Sequence, residues 1–307
     1  MIVQLLYKYY ILTITLTAIL LGLSSCTESI ELDTDDADPV IVIYSTITDE
    51  LTYQQVQLSS STGYFDGNKN AKVSGATITI TSDKGDLYNL EEVHNTPGTY
   101  KTTTQMAGIP GENYHLKVMV DFNNDGINET YEADAKMELP VKLDSIDISY
   151  EKIAKYHYYS FNIYAKEPAG TNYYMCKYIV NDSVYDRISK YVIFDDLSYD
   201  NQYINGSSIG YFFDDTERDE YKDADDYNTM TFIADGDVVK LQLSNIGKGF
   251  YNFLLQCQEE KDGESPFFGG PLSNISTNIK GGGIGYFAAY SISQKQAIAK
   301  KSNKDTV

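Results

Sequence analysis

The sequence predicts a mostly β protein, with an N-terminal immunoglobulin-like or prealbumin-like β-sandwich followed by a second, Tyr-rich β-domain that carries one short helix. Three observations carry this. The chain holds 28 tyrosines and no tryptophan, and Tyr, Thr and β-branched residues fit the pleated, half-buried surface of a strand. Short runs of such residues recur between Gly, Pro, Asn and Asp clusters, the pattern of strands joined by tight turns. One stretch alone carries a helical period.

Residues 1–25 read as a lipoprotein signal peptide. Lys8 is the only charge before an almost unbroken apolar run, Ile11 to Leu23, which fits a positive start and a short hydrophobic region. That run falls short of the about 20 apolar residues of a membrane-spanning helix. It ends in Leu23-Ser24-Ser25-Cys26, which resembles the lipobox of exported lipoproteins. Small Ser24 and Ser25 admit the signal peptidase, and the Cys26 thiol is the nucleophile that accepts diacylglycerol, which anchors the chain to a membrane. Residues 26–38 follow as an acidic tether. Glu28 to Asp38 holds six acids and no base, too little apolar area to fold alone. Acids just after a lipidated cysteine also resemble the surface-export signals of some outer-membrane lipoproteins.

Residues 39–140 are expected to form the first sandwich. Val40 to Thr48 is a β-branched run of buried-strand length, and Gln54 to Ser60 follows it. Ala76 to Thr81 and Leu87 to Glu91 flank Ser82-Asp83-Lys84-Gly85 as a hairpin. Pro97-Gly98 turns into Tyr100 to Thr104, and Ile109-Pro110-Gly111 into Tyr114 to Val120. Strands this short and closely spaced are the pattern of a sandwich.

Residues 141–293 are expected to form the second β-domain. Its strands are Leu143 to Tyr150, Tyr156 to Lys166 and Asn172 to Val180, with Pro168-Ala169-Gly170 turning the second into the third. Thr229 to Ala234 and Val238 to Leu243 flank Asp235-Gly236-Asp237 as a further hairpin. Within Ser244 to Glu260, Phe250, Phe253, Leu254 and Cys257 fall on one helix face. A Gly-rich stretch, Lys280 to Phe287, opens a last strand ending near Ile292. Residues 294–307 read as a basic tail, and the acidic run Asp214 to Asp226, with Arg218 and Lys222 among eight acids, as a solvated loop.

The formal net charge of −20 excludes nucleic acid as a partner, because phosphate neutralisation needs clustered Lys and Arg. His94, His115 and His157 show no zinc-ligand spacing. No nucleophile elbow, phosphate-binding loop or dinucleotide fingerprint occurs, so the chain reads as non-enzymatic, with no required cofactor. Cys176 and Cys257 read as buried free thiols, Cys257 as a small hydrophobe on the inner face of the helix.

One motif is sharper. Asp121 to Glu132 matches the calcium-loop pattern D-x-[DN]-x-[DN]-G-x5-E. Side-chain oxygens of Asp121, Asn123 and Asp125, the Ile127 carbonyl and a bidentate Glu132 could converge on one Ca2+ ion, and Gly126 permits the sharp turn. The competing reading is a loop rich in Asn, Asp and Gly because turns need them. Ser145 and Ser183, in Asp144-Ser145-Ile146 and Asp182-Ser183-Val184, are candidate glycosylation sites, since both tripeptides resemble an acidic-hydroxyl-aliphatic acceptor sequence.

The lipobox cysteine, the Val73 to Ile80 strand with its Pro97-Gly98-Thr99-Tyr100 sequel, the helix near Tyr251, and Ser265-Pro266-Phe267 through Asn274-Ile275 to Gly285-Tyr286-Phe287 together resemble domain-of-unknown-function family 4249. The resemblance implies an outer-membrane location and a supporting role to a TonB-dependent receptor in nutrient uptake. It supplies no catalytic residues. On that basis the chain is expected to be a lipid-anchored, surface-exposed ligand-binding or lid partner of such a receptor. The alternative is an adhesive or structural cell-surface β-sandwich protein.

Overall fold

β-Branched runs closed by tight turns build the first sheet of the computed structural model, which describes residues 39–61, 71–224, 227, 230–259 and 275–301. The signal peptide, Cys26, the tether and the end of the basic tail lie outside the described residues. Seven strands follow in order: β1 (Ile41–Thr48), β2 (Gln55–Ser60), β3 (Thr77–Ser82), β4 (Leu87–Glu92), β5 (Thr99–Thr102), β6 (Asn113–Val120) and β7 (Glu129–Lys136). An eighth, β16 (Ile284–Tyr290), comes from near the end of the chain and pairs parallel with β1, giving the order β16-β1-β2-β5-β4-β3-β6-β7. Alternate residues of every strand enter one core, among them Ile43, Leu58, Ile80, Val118, Ala133 and Phe287. A bridge between Glu132 and Lys280 joins the β7 edge to the segment entering β16, so the sheet curls into a sandwich-like body.

Strand β7 is not among the expected strands. Its sequence, ETYEADAK, is poor in strand formers. It forms because Tyr131, Ala133 and Ala135 alternate into the core while β6 supplies the hydrogen-bonding edge.

The second β part is two facing sheets. One holds β8 (Leu143–Ile153), β9 (Tyr156–Lys166), β13 (Tyr203–Asp214) and β14 (Phe232–Ile233), in the order β14-β13-β9-β8. The other runs β11 (Ser183–Val184), β10 (Tyr173–Val180), β15 (Val238–Ile246) and β17 (Ser293–Ile298), with β12 (Val192–Asp195) also on β10. Tyr159, Phe161 and Phe212 of the first meet Tyr178, Leu241 and Leu243 of the second in a shared core.

Four expectations need correction. Asp235-Gly236-Asp237 does not make a hairpin; it carries the chain from one sheet to the other, since β14 pairs parallel with β13 while β15 pairs with β10 and β17. Gly236 takes the left-handed φ of 92° that this reversal requires. The second domain does not keep residues 141–293 to itself, because β16 returns to the first sheet. The basic tail does not begin at Gln294: that residue lies in β17, antiparallel to β15, and Ala299 is fully buried. The acidic run is not a solvated loop throughout. Asp214 caps a 3-10 turn over Asp215–Tyr221, its carboxylate accepting the Thr216 N–H, and both Asp214 and Tyr221 are buried.

The expected helix forms as α1 (Lys248–Glu259), starting later than the sequence suggests because β15 runs on to Ile246. Phe250, Phe253, Leu254 and Cys257 face a third core shared with Val42, Ala288 and Tyr290 of the first sheet and Met175 and Ile246 of the second part. Strand β1 is thus covered on both faces, which accounts for its almost continuous apolar sequence. Burying Phe253 contributes roughly 2–3 kcal/mol. Among the described residues no helix is long and apolar enough to cross a membrane.

Candidate functional site

The second part carries a groove built from two segments far apart in sequence. After β10 the chain reverses at Asn181 and Asp182, both with positive φ (47° and 65°), a conformation that Asn and Asp tolerate in hairpin turns. It then pairs back as β11, bends through Tyr185, Asp186 and Arg187 into a 3-10 turn over Ile188–Lys190, and returns as β12. From the opposite sheet, β13 ends in the 3-10 turn that bears Arg218, and β14 brings Phe232 alongside. Between them lies a cavity of about 320 Å³ walled by Val184, Tyr185, Arg187, Lys190, Arg218 and Phe232. It continues past Lys190, Met230 and Thr231 into a second cavity of about 240 Å³ against Tyr178, Tyr191, Tyr211 and Phe213. These volumes approach or reach the lower end of the range for small-molecule sites.

The charges of the groove are arranged unevenly. The Arg218 guanidinium lies 4.4 Å from the centre of the Phe232 ring, and its Nε donates to Asp215 Oδ1 at 2.8 Å. Asp186, the one acid among the described residues of the wall, is occupied: Lys177 Nζ lies 3.0 Å from Oδ1, and the Tyr191 hydroxyl donates to the same oxygen at 2.6 Å. Lys190 Nζ donates to the Met230 carbonyl at 2.8 Å. Burial lowers the Lys190 pKa first and the Arg187 charge lowers it further. Arg187 itself is exposed and enters no ion pair or side-chain hydrogen bond among the described residues. Beside the second cavity the buried Tyr178 hydroxyl has no hydrogen-bond partner among the described residues, an arrangement that costs roughly 1–3 kcal/mol. Gly210 keeps the space before it open, because a Cβ there would stand 3.3 Å from that oxygen.

The calcium-loop residues come together only in part. Asp121 accepts the N–H groups of Asp125 (3.0 Å) and Gly126 (2.9 Å), Asn123 accepts that of Asp125 (3.0 Å), and Asp125 accepts that of Ile127 (2.8 Å). These side chains hold their own turn. Glu132 is not brought to them: it sits in β7 opposite Lys117, three register positions below the Val120 and Glu129 pair that closes the loop, with its carboxylate 3.8 Å from His115 Nε2. Glu129 closes the loop instead, accepting the Phe122 N–H at 2.8 Å.

Ser145 and Ser183 are exposed and lie within β8 and β11, not in loops beside them. Cys176 and Cys257 are both buried, and burial pushes the Cys176 thiol pKa far up.

Two features escaped the sequence reading. Carboxylates of Glu167, Asp196 and Asp200 gather within 4.8 Å of one another, although 33 positions separate the first from the last. Their oxygens accept bonds from the Tyr174 hydroxyl (2.6 Å) and the N–H groups of Asn172 (2.7 Å), Asn201 (3.1 Å) and Gly170 (2.9 Å), so the cluster staples the turn after β9 to the 196–201 segment. The other is the groove. Its signal was compositional: the chain has only two arginines, Arg187 and Arg218, and both line it.

A search among curated proteins finds no match to the chain. The family model described as a domain of unknown function, DUF4249, matches residues 27–296. That span takes in both β parts and the helix between them, and the chain therefore belongs to the DUF4249 family.

Proposed function

We propose that this protein is a lipid-anchored, non-enzymatic binding protein of the outer membrane that works beside a TonB-dependent nutrient receptor. The observation that carries the reading is the groove of the second β part, a concave surface where aromatic walls and convergent polar groups from both sheets meet. An adhesive protein would instead present flat faces or open strand edges to its partner. The apolar run ending in Cys26 and the acidic tether supply the anchor and the reach. The role beside a receptor is what the sequence resemblance implies.

Affinity purification of the tagged full chain from its own membranes in mild detergent, followed by mass spectrometry, tests the reading. A stoichiometric TonB-dependent receptor is the expected partner. Recovery of fimbrial or matrix proteins without a receptor would overturn it in favour of the adhesive alternative. Replacing Cys26 with Ala should move the chain from the detergent phase to the aqueous phase, and unchanged partitioning would refute the anchor.

A further inference from the structure

We propose that the groove of the second β part binds a small organic anion, its carboxylate held by Arg187 and Arg218 and its body lying against the aromatic wall. This rests on the reading of the protein as a binding partner and names the class of ligand. In a chain of net charge −20, 22 of the 24 basic residues are lysines. The two exceptions stand 31 positions apart, one in the connection between β11 and β12 and one in the 3-10 turn after β13, and both line one cavity. Guanidinium is the group suited to planar, two-point recognition of a carboxylate, and lysine does not replace it there.

The surroundings favour an anion over a cation. Lys190 adds a third positive group at the junction of the two cavities, while the wall carboxylate of Asp186 is engaged by Lys177 and Tyr191. Arg218 keeps one carboxylate partner, Asp215, and stacks on Phe232, which fixes its plane. Arg187 is exposed and its guanidinium has no ion-pair or hydrogen-bond partner among the described residues. Beyond the cations the cavity runs on between Tyr211, Phe213 and Met230. An inorganic anion would leave that second chamber unused, whereas a ligand with a flat apolar body would fill it.

Because the chain has two arginines, a 15N-labelled sample of the full chain in neutral detergent should give two arginine Nε–H signals, each assignable by one substitution. Benzoate, cinnamate and indole-3-acetate serve as probes, with their neutral amides and inorganic phosphate as controls. The carboxylates are expected to shift both signals saturably, and the amides to shift neither. R187Q should weaken the best carboxylate at least about tenfold, with R187K recovering only part of the loss. The Arg187 side chain enters no ion pair or hydrogen bond among the described residues, so R187Q should fold normally; an unchanged amide spectrum away from the groove checks this. Equal binding of amides and carboxylates would overturn the anion assignment while leaving a ligand-binding role intact. Phosphate binding as tightly as the carboxylates would overturn the organic body. No shift of either arginine by any probe would overturn the proposal altogether.

Discussion

Asp214 shows how one buried acid can set the acid limit of this fold. Only 1% of its surface is exposed. Burial pushes its pKa up, but bonds from Lys301 Nζ (2.7 Å), the Tyr150 hydroxyl (2.6 Å) and Thr216 outweigh that and bring it to about 2. A carboxyl depressed on folding contributes stability that is present above its unfolded value, about 4, and lost as pH falls through about 2. D214N should therefore lower the unfolding free energy at neutral pH by about 2 kcal/mol and flatten its dependence between about pH 4 and 2. Denaturant titrations at a series of pH values check this, and an unchanged acid slope would contradict it. Tyr178 predicts the opposite sign. Since its hydroxyl has no partner among the described residues, Y178F should be at least as stable as wild type, with a gain of up to about 1 kcal/mol. A loss of stability would mean that the hydroxyl has a partner.

Helix α1 and strand β17 are the elements that join the molecule, and they differ in how far the sequence revealed them. Phe250, Phe253, Leu254 and Cys257 announced the helix because a 3.6-residue period survives whatever the helix packs against. β17 was hidden because SQKQAI has polar side chains on an edge strand, mostly exposed, and it forms through backbone pairing with β15. The hairpin expected at Asp235-Gly236-Asp237 failed for a related reason. A turn signal records that the chain reverses, not which sheet it enters next. The groove shares this limit, since residues as distant as Arg187 and Arg218 meet only once both sheets are in place. Two outcomes follow. F253A should cost about 3–5 kcal/mol and raise amide exchange in β1 and β10 together, because both border the core it fills; loss confined to one strand would contradict that shared core. Ending the chain at Ile292 should destabilise the second sandwich, since it removes β17, buried Ala299 and the Lys301 partner of Asp214. Unchanged melting of the truncated chain would mean that the segment is a tail after all.

Across the whole molecule, acidity and the groove pull in opposite directions. A surface of net charge −20 repels small anions at long range, so a site for one must overcome that field locally with Arg187, Lys190 and Arg218. Such a site rejects neutral analogues and weakens in high salt. The most direct measurement is native mass spectrometry of the full chain, purified from its own cells in mild detergent beside the R187Q/R218Q double variant. Wild type should carry a small-molecule adduct that the variant lacks and that gentle activation releases as an anion. Identical spectra from the two proteins would contradict a binding groove built around the two arginines.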